Sequence, residues 1–69
     1  MNRTPVSSSY LSSVGYDHES NILEIKFNNG RVFQYHGVPQ YIYTGLISSI
    51  SPGEYFHENI KNSFQYTSV

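Results

Sequence analysis

Leu23, Ile25 and Phe27 alternate with Glu24 and Lys26, and the alternation runs straight into Asn28-Asn29-Gly30. A period of two puts the apolar side chains on one face of a strand and the two charges on the other. Asn and Gly supply the left-handed backbone that a tight reversal requires. A second extended run, Arg31 to His36, follows at once. The two runs therefore constrain this part of the chain to an antiparallel hairpin with one buried and one wet face. Two registers are open. A two-residue turn at Asn29-Gly30 sets Phe27 opposite Val32 and Ile25 opposite Gln34. A three-residue loop with Gly30 left-handed sets Phe27 opposite Arg31, Ile25 opposite Phe33, and Leu23 opposite Tyr35. A slip of one residue turns every side chain over. The second register gathers more aromatic and aliphatic surface on one side, so the three-residue loop is expected.

A strand before the hairpin is expected over Tyr10 to Asp17, carrying Leu11, Val14 and Tyr16. The Leu11–Val14 spacing breaks strict alternation and points to a bulge. Asp17 to Asn21 reads as a turn. After Gly37-Val38, Pro39 suits the first position of a helix, where its missing N–H costs nothing. Ile42 and Leu46 lie one turn apart, with Tyr43, Ile47 and Ile50 on a neighbouring stripe. Gly45 weakens this helix by ~1 kcal/mol relative to Ala. Ser51-Pro52-Gly53-Glu54 spells a capping box with proline at the first helical position, and Ile50 with Tyr55 would form its hydrophobic staple. The second helix is expected to reach about Asn62, to bury Phe56 and Ile60, and to hold Lys61 in its last turn. Phe64 and Tyr66 alternate in an extended C-terminal tail. Residues 1–9 are polar and serine-rich, an arm by composition, with residues 1–5 flexible. The expected architecture is a single α+β domain over residues 1–69: a three-stranded antiparallel meander with two consecutive helices on one face, followed by the tail.

A domain this small buries only ~60% of the surface its unfolded chain exposes, and ~3–5 kcal/mol of stability is expected. Seven Tyr and four Phe supply the bulk that such a thin core needs. With no cysteine, the chain has no disulfide, no thiolate zinc cage and no thiol nucleophile. Absence of disulfides favours an intracellular protein, and no apolar signal core follows Met1. A cytoplasmic location is expected. No apolar run approaches a membrane span. Four basic against five acidic residues leave a net charge of −1, far from a domain held to nucleic acid by many phosphate contacts.

His57-Glu58-Asn59-Ile60-Lys61 begins like a zinc-protease helix, but Lys61 stands where the second histidine belongs. His18, His36 and His57 are scattered, so no metal is expected. No serine sits in a Gly-x-Ser-x-Gly context, and no pair of carboxylates declares acid–base chemistry. No catalytic residue, cofactor or small-molecule substrate is expected, and the chain reads as a non-enzyme. The start of the second helix at Gly53-Glu54 could meet an anion, but Glu54 opposes one and the capping box occupies its donors. One functional surface remains, a set of aromatic and basic side chains for single-stranded RNA, whose bases stack on rings and whose phosphates meet Arg or Lys. Its members are Lys26, Arg31, Tyr35, His36 and Lys61. The plainer reading of the same residues is a charged edge that deters aggregation. In the expected register Arg31 and Tyr35 share the core-facing parity, while Lys26 and His36 lie on the other face. Convergence of Arg31 and Lys61 beside an exposed tyrosine would favour RNA; an aromatic patch without cations would favour a protein partner.

The chain resembles the KTSC domain family, named for the C-terminal domain of some lysyl-tRNA synthetases. The resemblance is carried by Val6-Ser7-Ser8-Ser9, Val14-Gly15-Tyr16-Asp17, Leu23 to Phe27, Gly30 and Val32-Phe33-Gln34-Tyr35. It continues through Gly37-Val38-Pro39, Leu46, Ser51-Pro52-Gly53-Glu54-Tyr55-Phe56 and Ile60-Lys61, and so covers nearly the whole chain in order. It implies that the serine-rich arm belongs to the domain. The family carries a central Tyr-x-Tyr; here Phe33-Gln34-Tyr35 keeps only the second hydroxyl, and Phe33 reads as core. The family is functionally uncharacterised. Its attachment to a synthetase suggests RNA association, an argument from company alone. A protein-interaction module is the alternative.

Overall fold

A computed structural model describes all 69 residues. The hairpin forms in the three-residue register. Strands β3 (Ile22–Phe27) and β4 (Val32–Tyr35) pair Leu23 with Tyr35 and Ile25 with Phe33. The Phe27 N–H donates to the Arg31 carbonyl at 2.8 Å, and Gly30 sits at φ 91°. That positive φ is why glycine ends the loop. Strand β2 (Leu11–Asp17) pairs antiparallel with β3, and its register shifts between Leu11 and Ser13, the expected bulge. The bulge lets Leu11 and Val14 both point inward, and both are fully buried. Asp17 closes the β2–β3 turn, accepting from the Glu19 N–H at 3.2 Å and the Ser20 hydroxyl at 2.8 Å.

The sheet has five strands in the order β1-β2-β3-β4-β5, which corrects the expected three. On one side, β1 (Thr4–Pro5) pairs with β2, Thr4 opposite Val14 and Pro5 opposite Ser13, where a flexible arm was expected. Gly15 makes room for this arm: a Cβ there would lie 2.5 Å from the Asn2 carbonyl oxygen. The rest of the arm is tied down too. Ser8 Oγ accepts the N–H groups of Tyr10 and Leu11 at 3.0 and 3.1 Å, and Asn28 Nδ2 donates to the Ser8 carbonyl at 3.2 Å. On the other side the C-terminal tail is β5 (Tyr66–Ser68), with Tyr66 opposite Tyr35 and Ser68 opposite Phe33. The physical reason is the open edge of β4, whose backbone groups need partners. The His36 and Val69 N–H groups extend the pairing to the Gln65 and Val32 carbonyls, each at 2.9 Å.

Helix α1 (Gln40–Ser48) starts one residue later than expected, with Pro39 extended at the N-cap. Leu46 is fully buried and Ile42 and Tyr43 pack partly against the core, whereas Ile47 and Ile50 are exposed. Helix α2 (Pro52–Asn59) has Ser51 at its N-cap, but the capping box does not form. The Ser51 side chain takes no cap hydrogen bond, and its N–H, which Glu54 would have claimed, donates to Ser49 Oγ at 3.0 Å. Nor does the staple form, since Ile50 is fully solvated. The helix ends at Asn59, so Lys61 lies in the turn beyond it. Phe56 and Ile60 are buried as expected. Both helices lie on the face that carries Leu23, Ile25 and Phe27. Phe56 meets Phe27 and Tyr35 edge-on at centroid distances of 5.4 and 5.6 Å. The opposite face is polar: Glu24 accepts from Arg3 Nη1 at 2.9 Å and from Gln34 Nε2 at 2.8 Å.

Candidate functional site

The end of α2 and strands β4 and β5 meet around a pocket of about 330 Å³. Its floor is Phe27, Phe33, Tyr35 and Phe56, the uncovered end of the aromatic core. Two half-exposed tyrosines stand at its rim, Tyr10 at 47% and Tyr66 at 54%. Tyr66 stacks on Phe33 at 4.7 Å and 23°. Tyr10 tilts on Phe27 at 5.2 Å and 55°. Tyr10 also tilts on Phe56 at 6.0 Å, so both rim rings are braced by the core while remaining about half exposed, as a stacking platform requires.

Arg31 and Lys61 are exposed on the same rim. Neither is in a salt bridge; the one ion pair in the chain is Arg3–Glu24. Asn29 Oδ1 accepts the Arg31 N–H at 2.9 Å, which leaves the Asn29 amide NH₂ as a donor at the rim, which Asn62 also lines. Tyr35 is only 2% exposed. Its burial, together with the neighbouring phenols of Tyr66 and Tyr10, pushes its hydroxyl up to about 12. The hydroxyl therefore stays neutral at the pocket floor and can both donate and accept.

Of the five residues expected from the sequence, three converge here: Arg31, Tyr35 and Lys61. Arg31 and Tyr35 do keep the core-facing parity; Arg31, just before β4, is exposed, while Tyr35 stays buried at the pocket floor. Lys26 and His36 do not join them. Lys26 pairs across from Val32 with its side chain on the polar face, and His36 Nε2 shares a hydrogen bond of 2.9 Å with Thr67 Oγ1. Tyr10, Tyr66, Asn29 and Asn62 were missed. Tyr66 could be found only by knowing that the tail becomes a strand opposite Tyr35. Tyr10 belonged to the expected strand and instead precedes it.

A second hollow, of about 460 Å³, lies between the serine arm and the start of α2. Ser7, Ser8 and Ser9 line one side; Ser51, Glu54 and His57 line the other. It shares Tyr10 and Lys61 with the aromatic pocket. Elsewhere the titratable groups are dispersed. His18 is in the β2–β3 turn, and no three metal-ligating side chains cluster. No carboxylate, histidine or lysine is buried. No helix is long and apolar enough to cross a membrane.

Residues 7–64 match the family model described as the KTSC domain. An uncharacterised protein of Stutzerimonas stutzeri is 38% identical over 61 residues, 88% of this chain and 86% of that protein. A lysine–tRNA ligase of Trichormus variabilis is 33% identical over 58 residues, 84% of this chain but 10% of the ligase. The crystal structure of a KTSC domain protein from Yersinia pestis superposes with a TM-score of 0.93 at 39% identity, covering 99% of this chain and 96% of that one.

Proposed function

The chain belongs to the KTSC domain family, and from that premise and the pocket's geometry we propose that it is a non-enzymatic, RNA-associated accessory module that holds an unpaired base. One observation carries the reading: Arg31 and Lys61 converge beside the exposed rings of Tyr10 and Tyr66 on a single aromatic pocket. Rings that are open on one face accept any base by stacking, and a cation at the rim meets the adjoining phosphate. The pocket is at the small end of the ~300–1,000 Å³ usual for ligand sites, the scale of one base rather than a folded RNA. A related segment inside a lysine–tRNA ligase adds support by company only. The cysteine-free composition suits a reducing compartment such as the cytoplasm.

Affinity is modest in this reading. Two cations at the pocket give a logarithmic salt slope of only ~1.4 on a single strand, and generic RNA binds above ~10 μM near physiological salt. The test is an anisotropy titration of a short labelled single-stranded RNA of mixed sequence at two salt concentrations. Tyr66→Ala and Lys61→Ala should each weaken binding, Lys61→Ala with a shallower slope. Binding that neither substitution changes would overturn the assignment.

A second reading, a protein-interaction module, is favoured by one feature away from the pocket. Ile47 and fully solvated Ile50 border a hollow with Pro5, Val6 and Pro52, and no cation lines it.

A further inference from the structure

The aromatic pocket and the serine-lined hollow share two side chains, Tyr10 and Lys61. A strand whose base lies in the first can run its sugar–phosphate backbone across Lys61 into the second. The chemistry of the hollow is unusual for a phosphate path. Glu54 stands in it, exposed, with neither a salt bridge nor the capping bond that would occupy it. A free carboxylate repels phosphate, and being acceptor-only it seeks hydroxyl or N–H donors. Ser51 is equally uncommitted, its hydroxyl making no cap bond. A carboxylate and free hydroxyls beside one cation suit a sugar with its own hydroxyl groups, the phosphate staying at Lys61.

Resting on the RNA reading above, we infer that this hollow is a ribose subsite, in which Glu54 accepts a hydrogen bond from a 2′-hydroxyl and so makes the domain select RNA over DNA. The 2′-hydroxyl is the one group by which a protein distinguishes the two strands at a given base. Ser51 Oγ adds a second partner to the same sugar, and Lys61 meets the adjoining phosphate. The failed capping box is thus what leaves Glu54 available: the start of α2 has its carboxylate pointed at the arm's hollow rather than folded back on its own backbone.

The experiment titrates the full chain, observed by amide NMR shifts, with two tetranucleotides of one uracil-containing mixed sequence, one ribo and one 2′-deoxy. The expected ratio of dissociation constants is at least about tenfold in favour of the ribo strand, the worth of one hydrogen bond to a charged acceptor. In Glu54→Ala, which removes the acceptor altogether, the ratio should fall towards one. Relief of repulsion tightens both strands alike, so the ratio isolates the hydroxyl. Glu54 is exposed, and the unchanged amide spectrum of the variant confirms its fold. A ribo preference that survives Glu54→Ala overturns the subsite. Equal binding of both strands, still weakened by Tyr66→Ala, overturns the subsite and leaves the stacking reading standing. No binding of either strand overturns both.

Discussion

Replacing Gly45 by Ala sets two sizeable effects against each other, and the structure decides their sign. In an exposed helix the change would stabilise by ~1 kcal/mol, because glycine loses more backbone freedom on folding. Here Gly45 is where α2 leans on α1. A Cβ would collide with the Tyr55 hydroxyl, and would lie 2.7 Å from its Cζ and 2.9 Å from its Cε2. The ring is partly buried against the core and rigid, so it cannot fold aside as a lysine tip could. Either the ring swings out or the helices part. Overpacking of this kind costs ~1–3 kcal/mol. Subtracting the helical gain leaves a net loss of up to ~2 kcal/mol, with ~1 kcal/mol as the central value. In a domain of this size that is a fall in Tm of ~4–8 °C. Urea unfolding followed by far-UV circular dichroism would measure it, at unchanged slope. The control is Tyr55→Leu, which removes the colliding atoms. In that background Gly45→Ala should turn stabilising by ~1 kcal/mol, giving a coupling of ~1–3 kcal/mol. A stabilising Gly45→Ala in the wild-type background would refute the reasoning.

Phe56→Ala empties the centre of the ring cluster and should cost ~3–5 kcal/mol, about all that a small domain has, so the variant should show no cooperative unfolding transition at 25 °C. Ser51→Ala should change the unfolding free energy from urea titration by less than ~0.5 kcal/mol; Ser8→Ala, which strips the acceptor from two backbone N–H groups, should cost ~0.5–2 kcal/mol by the same assay. Tyr35 carries a hydroxyl raised to about 12. The unfolded chain deprotonates this phenol first, near its ordinary value of ~10, so it binds fewer protons than the folded one and stability falls as pH rises. The Tyr35 contribution is complete below pH ~10 and lost progressively towards ~12, by up to ~2–3 kcal/mol. In Tyr35→Phe the fall in urea midpoint over that window should be smaller; an identical fall would rule out Tyr35 as its source.

The candidate site divides along the same line as these predictions. Arg31 and Tyr35 could be assigned to one face because their parity follows from the hairpin register that gathers the most apolar surface on one side, and that register forms. Lys26 and His36 fell on the other face by that parity, and they stay there. Lys61 was expected in the last turn of a helix and lies beyond it. It reaches the pocket because α2 stops at Asn59 and the chain turns back toward the sheet.

Alternation, turn chemistry and helical spacing are properties of neighbours in the chain, and they determined the hairpin, its register, the bulge in β2 and the buried residues Leu46, Phe56 and Ile60. Family resemblance added that the serine arm is part of the domain, and Ser8 shows how, by accepting two backbone N–H groups. What only the tertiary structure decided depends on groups far apart in sequence. Thr4–Pro5 and Tyr66–Ser68 have too little length or pattern to declare themselves strands; each becomes one because a sheet edge with unpaired backbone groups is already there. The capping box at Ser51 had the right residues, but a nearer acceptor, Ser49, took the N–H it needed. Gly45 looked like a defect in a helix until Tyr55 arrived from the next one. The pocket likewise exists only where the end of one helix, two strands and the arm before β2 come together, each contributing a ring or a cation that no local spacing could have placed beside the others.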